Sequence, residues 1–95
     1  MQYVYLVRCG DGSIYTGYTT DVERRLAEHR EGRGAKYTRG RTPLDLRRVE
    51  AYETRSAAQS REAAVKSLSH DQKTDLLPVG EDRIALGGIW RGNDA

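Results

Sequence analysis

Arg25 occupies a position where an apolar side chain belongs. Val22, Leu26 and His29 follow the i, i+4, i+7 spacing of a core-facing helical stripe, and Arg25 falls at i+3 on that stripe. An unpaired cation there is costly, so Arg25 must meet a carboxylate, snorkel to the edge, or face a pocket that receives an anion. His29, one turn on, points at the same pocket, either as a hydrogen-bonded core histidine or as a phosphate donor or proton shuttle. Glu62 flanks an apolar face of Ala58, Val65 and Leu68, with Lys66 one turn on, the spacing of an ordinary surface ion pair. Lys36, Arg39 and Arg41 surround Tyr37 on a glycine-hinged segment. Cations for phosphates and a ring for stacking together suit a nucleic acid. Tyr5 and Tyr15 fall in strand-like runs, where tyrosines ordinarily cover apolar surface, and periodicity alone does not set them apart from Tyr3, Tyr18 or Tyr52.

These side chains need a scaffold, and the order of elements is readable. Tyr3 to Arg8 is β-branched and aromatic, and Gly10 to Ser13 form a turn cluster before Ile14, Tyr15 and Thr16, which predicts a β-hairpin. Thr20 and Glu23 stand at capping-box spacing, predicting a helix that runs to about Glu31 and is stopped by Gly32 and Gly34. A basic loop follows to Pro43. Leu44, Leu46, Val49 and Ala51 predict a third strand whose apolar parity changes across Arg47 and Arg48, as at a bulge or in a strand covered on both faces. Ser56 with Gln59 and Ser69 with Gln72 repeat the capping-box spacing, predicting one helix to Leu68 and a shorter one ended by Pro78. The result is an α+β fold, a small three-stranded antiparallel sheet sandwiched by helices in the order β-β-α-β-α-α. Residues 1–77 form the domain and 78–95 a tail, docked or mobile, with one apolar cluster of Ile84, Leu86, Ile89 and Trp90.

Composition sets the outer bounds. The 95 residues allow one modest core, and with 37% hydrophobic and 32% charged residues the chain is polar but not disordered. No apolar run approaches a membrane span, and the start lacks the pattern of a signal peptide, so a soluble, cytoplasmic protein is expected. Cys9, the single cysteine, forms no internal disulfide. The net charge of +2 hides an asymmetry: Arg24 to Arg48 hold nine basic and three acidic residues, leaving the remainder negative. That is the footprint of a face that meets a polyanion.

Val4-Tyr5-Leu6, Tyr15-Thr16-Gly17, Arg25 eight residues beyond that glycine, His29, and Glu62 in a later helix together resemble the GIY-YIG nuclease superfamily. Asp11 to Gly17, Thr20 to Arg25 and Gly34 to Gly40 are similar to its small stand-alone bacterial members, the UPF0213-type subfamily typified by the YhbQ protein. The likeness covers about residues 2 to 77. Both tyrosines and the second glycine of the name-giving motifs are kept, while the first glycine and the isoleucines are replaced. The asparagine that some members place after the glutamate has no match, since Asn93 lies in the tail.

The resemblance implies a metal-dependent DNA endonuclease that hydrolyses phosphodiesters, selecting branched or damaged DNA in repair or recombination. By similarity Tyr5 or Tyr15 acts as general base or orients the water, Arg25 binds the scissile phosphate, and Glu62 holds one divalent ion, Mg2+ or Mn2+. His29, Tyr37 and Lys36 complete the pocket, and Arg33, Arg39 and Arg41 join them along the DNA. A phenol is a poor base at neutral pH, and the nearby cations are expected to lower its pKa. No small-molecule cofactor is implied, and specificity would come from a protein partner, a homodimer or DNA shape. The alternatives are a binding module that keeps the fold without cutting and a protein-interaction domain using the Ile84 to Trp90 cluster.

Overall fold

In the computed structural model, residues 1–34, 39–41 and 43–77 are described, together with the backbone of 90–91. Strands β1 (Gln2–Cys9), β2 (Ile14–Thr19) and β3 (Leu44–Tyr52) and a two-residue β4 (Trp90–Arg91) form one sheet in the order β2-β1-β3-β4. The first three are antiparallel, whereas β4 runs parallel to β3, pairing Trp90 with Glu50 and Arg91 with Ala51. The three-stranded antiparallel sheet with flanking helices is thus as expected, and the tail contributes the fourth, parallel strand. Ile84, Leu86, Ile89 and Asn93 lie outside the described residues.

The β1–β2 turn is closed locally. The Asp11 carboxylate accepts from the Ser13 amide at 3.0 Å and from its hydroxyl at 2.6 Å, and Gly12 takes a φ of 87°, which a residue with a Cβ rarely adopts. Opposite this hairpin, the register of β1 with β3 shifts between Leu6, paired with Arg48, and Val7, paired with Leu46. Arg47 is therefore the extra residue of a bulge, and the parity change read from the sequence has this cause. The bulge returns Val49 to the face already occupied by Leu44 and Leu46, and it places Arg48 and Glu50 on the other.

Each sheet face has its own cover. Tyr5, Val7, Cys9, Leu44, Leu46 and Val49 pack with Val22 and Leu26 of helix α1 (Val22–Arg30). Leu6 and Ile14 pack with Val65 of helix α2 (Arg55–Lys66), joined by Leu68, Leu76 and Leu77 around helix α3 (His70–Asp75). Both faces of the central β1 are buried, which explains its near-continuous apolar run. Cys9 is buried and free, and no helix of the described residues is long and apolar enough to cross a membrane.

Two of the three expected caps are corrected. Asp21, not Thr20, caps α1 by accepting from the Arg24 amide at 3.1 Å. Its carboxylate at the positive end of the helix is the stronger acceptor. Thr54, not Ser56, caps α2 by accepting from the Ala57 amide at 3.1 Å, so the helix starts earlier and ends at Lys66 rather than Leu68. The Ser69–Gln72 box on α3 is complete in both directions. Helix α1 ends as Gly32 turns to a φ of 78°, with the Gly32 amide donating to His29 O and the Arg33 amide to Glu28 O. This Schellman turn folds the chain back over the end of the helix.

Candidate active site

The fold brings Tyr5, Tyr15, Arg25 and His29 together on the α1 face of the sheet. Tyr5 lies opposite Gly17 across the β1–β2 pair, and its ring crosses the Gly17 backbone so closely that a Cβ on that glycine would overlap the phenol. The Tyr5 hydroxyl reaches Nε2 of His29 at 2.8 Å, and both side chains are 1% exposed. With the phenol donating, the imidazole carries its proton on Nδ1. Tyr15 completes an aromatic corner, its ring centroid 5.3 Å from that of His29 and 6.2 Å from that of Tyr5.

Gly34 seats the histidine from the other side. The Schellman turn carries it back over His29, and a Cβ there would overlap Nδ1 and Cγ of the imidazole and come within 2.8 Å of the His29 Cα. From the sequence Gly34 was a helix stop and the start of a segment shared with the UPF0213-type proteins, not a seat for His29. A second glycine two residues after a helix-ending one was the available signal, but a close approach to a ring 24 residues from its own partner is not local information.

Arg25 has all three fates that the stripe argument allowed. Its Nη1 donates to Oε1 of Glu28 at 3.1 Å, its charge acts on the Tyr5 phenol, and its side chain stays 34% exposed. It lines an open cleft of about 360 Å³ together with Tyr18, Thr19, Thr20, Asp21, Arg24 and Glu28. Partial desolvation works against the charge of Arg25, but the bond to Glu28 and the interaction with Tyr5 outweigh it and hold the guanidinium protonated more firmly than usual. Tyr18, Asp21 and Arg24 were not singled out from the sequence.

Burial decides the protonation of the aromatic pair. Desolvation, followed by the neighbouring Tyr15 and Glu62, pushes the Tyr5 phenol well above the ordinary value, although the Arg25 guanidinium opposes it. The expectation that nearby cations lower this tyrosine is therefore corrected: the cost of burying a phenolate exceeds what one guanidinium returns. Burial, aided by the charge of Arg25, also pulls His29 below its usual value, so the ring is neutral at neutral pH.

Glu62 belongs to the helix on the other face, yet its charge acts on Tyr5. Its carboxylate, 21% exposed, pairs with Lys66 at 3.0 Å, so the i,i+4 ion pair expected from spacing is present as well. Among the described residues no three His, Cys, Asp or Glu side chains gather as a metal cage. One accessible carboxylate fits Mg2+ or Mn2+, which keep waters and share oxygens with substrate phosphates. In the basic loop, Arg33 pairs with Glu31, and Arg41 pairs with Asp11 while its carbonyl accepts from the Gly10 amide at 2.6 Å. Arg41 thus ties the end of the loop to the hairpin. Arg39 is exposed, and Lys36 and Tyr37 lie outside the described residues.

Residues 1–75 match the model of the GIY-YIG catalytic domain. This chain belongs to that family. Among GIY-YIG relatives it is 59% identical to a UPF0213 protein of Haloquadratum walsbyi over 84% of this chain and 90% of the other. It is 45% identical to one of Staphylococcus saprophyticus over 82% and 95%. The solution NMR structure of a UPF0213 protein from Bacillus halodurans is 51% identical, with a TM-score of 0.53 over 80% of this chain and 82% of that one. A protein of E. faecalis solved by the same method reaches 0.57 at 49% identity, covering 79% and 80%. The chain therefore carries a GIY-YIG nuclease fold, and the Tyr5–His29–Arg25 corner is formed by residues inside the matched region.

Proposed function

We propose that this GIY-YIG chain is a metal-dependent DNA endonuclease that hydrolyses phosphodiester bonds, acting on branched or damaged DNA in repair or recombination. The observation that carries this reading is that Arg25, on the wall of an open cleft, acts on a Tyr5 phenol that is buried and hydrogen-bonded to His29.

Hydrolysis requires a proton to leave the attacking water and extra negative charge to be held on the phosphate. The phenol cannot rest as a phenolate, because burial disfavours it. The neutral His29 answers this difficulty: as the water gives its proton to the Tyr5 oxygen, the proton of Tyr5 moves to Nε2, so no phenolate forms and the positive charge falls on the imidazolium, opposite the hydroxide that attacks the phosphate. Tyr15, packed against both, orients the water. Arg25 offers its guanidinium to the phosphate from the cleft wall, exchanging Glu28 for a substrate oxygen. Glu62 would hold Mg2+ or Mn2+, which supplies Lewis-acid neutralisation of the developing charge. Arg33, Lys36, Tyr37, Arg39 and Arg41 carry the flanking strand. Specificity is left to DNA shape, a second copy or a protein partner.

The test is incubation of the purified protein with branched and linear DNA and Mg2+ or Mn2+, beside a Glu62→Gln variant. The wild type should cut, and the variant should bind with the same salt dependence without cutting. If both bind with steep salt dependence and neither cuts, the chain is a binding module.

A further inference from the structure

A second constellation lies on the opposite sheet face, outside the cleft. Glu50 of β3 is 1% exposed, and its two oxygens are fully engaged. Oε1 accepts from Arg61 Nε at 2.8 Å and from the Tyr52 hydroxyl at 2.7 Å, while Oε2 accepts from Arg48 Nε at 2.6 Å and Arg61 Nη2 at 3.1 Å. Arg48 also donates to the carbonyl of Leu76 at 3.0 Å. One buried carboxylate thus joins β3, α2 and the end of α3. Desolvation alone would raise its pKa, but the bonds from Arg61, Tyr52 and Arg48 reverse the sign and keep it ionised.

What this cluster fixes follows from how little else holds α2. The buried residues of that helix are Ala58 and Val65, one small and one medium side chain on a single line, a narrow apolar contact that by itself opposes rolling about the helix axis only weakly. Arg61 lies on the same stripe, three residues after Ala58 and four before Val65. Its planar fork on Glu50 is the contact that resists rolling. The next residue is Glu62, about 100° further round the helix.

We propose that Arg61, held by Glu50, is a positioning residue that sets the rotation of α2 and so the place of the Glu62 carboxylate. The inference rests on the nuclease reading of the site. A structural cluster of this kind reaches the reaction only through Glu62.

The experiment uses Arg61→Met, which leaves Glu50 with Arg48 and Tyr52, and Arg61→Lys, which restores the charge without the fork. Amide residual dipolar couplings give the orientation of α2 against the sheet, and a Mg2+ titration of DNA cleavage gives the ion concentration for half-maximal rate. Arg61→Met should reorient α2 and raise that concentration about 10- to 100-fold, as for other residues that orient a metal ligand. Its DNA affinity without metal should change less than about 2-fold, because no phosphate contact is removed. Arg61→Lys should fall between, and it carries the test alone if the methionine variant does not fold. An unmoved α2, or a moved α2 with an unchanged Mg2+ requirement, overturns the proposal. If the wild type cuts no DNA, the nuclease reading fails, while the couplings still show whether Arg61 sets the helix.

Discussion

Thr16 is the middle residue of the second name-giving motif, and its hydroxyl is misplaced. The side chain is buried, it lies two residues on from Ile14 and opposite Leu6 on the face closed by Val65, and Oγ1 has no hydrogen-bond partner. A buried hydroxyl without a partner costs about 1–3 kcal/mol in proteins. Thr16→Val replaces it with a methyl group of the same shape, gaining up to about 0.8 kcal/mol of apolar burial, while both residues are β-branched and suit a strand equally. The variant should therefore be more stable by about 1–3 kcal/mol. In a domain of this size each kcal/mol moves the midpoint roughly 4–8 °C, so Tm should rise by about 4–24 °C. Thermal unfolding followed by circular dichroism measures this, and urea unfolding should show a higher midpoint with the same slope. Thr16→Ser, which keeps the hydroxyl and loses the methyl, should be less stable than wild type. A Thr16→Val protein that melts at or below the wild-type temperature would refute the reasoning, since it would mean that the hydroxyl is satisfied.

Gly34→Ala should displace the imidazole, because the added Cβ meets backbone as well as ring atoms of His29 and ring rotation alone cannot relieve it. Overpacking of this kind costs about 1–3 kcal/mol, and the lost alignment of Tyr5 should slow cleavage about 100-fold; wild-type single-turnover rates in the variant would contradict the seat assigned to Gly34. The pH dependence follows from His29, whose folded pKa lies below 6.5. Above 6.5 the ring is neutral folded and unfolded, and as pH falls the unfolded chain takes up its proton first, so stability and the acceptor role are both lost on the acid side. Single-turnover cleavage should fall along a limb with its midpoint below 6.5, and a midpoint above 6.5 would exclude His29 as the acceptor.

The layers of the fold were legible because period and parity are local. The hairpin followed from a turn cluster between two β-branched runs, and the slip across Arg47 and Arg48 marked the bulge. The caps at Asp21 and Thr54 were misread because a capping-box spacing tests two residues against each other and not against a better acceptor nearby. The parallel pairing of β4 depends on a partner some 40 residues away, and no local rule encodes it.

The site was legible in proportion to how much each residue violated its surroundings. Arg25 broke an apolar stripe, and the violation has a physical reason: its charge is divided among Glu28, Tyr5 and the solvent of the cleft. A guanidinium buried completely with Glu28 would need an excellent geometry to offset desolvation and would surrender the carboxylate to no substrate. One left in open water would gain little from a phosphate. Tyr5 broke nothing, because a strand tyrosine is ordinary, and only the three-dimensional contact with His29 makes its hydroxyl chemical. The same reasoning explains why Glu50 escaped notice. In the sequence it is one more acidic residue in a strand, and its importance appears only when Arg61 from the following helix is found holding both of its oxygens.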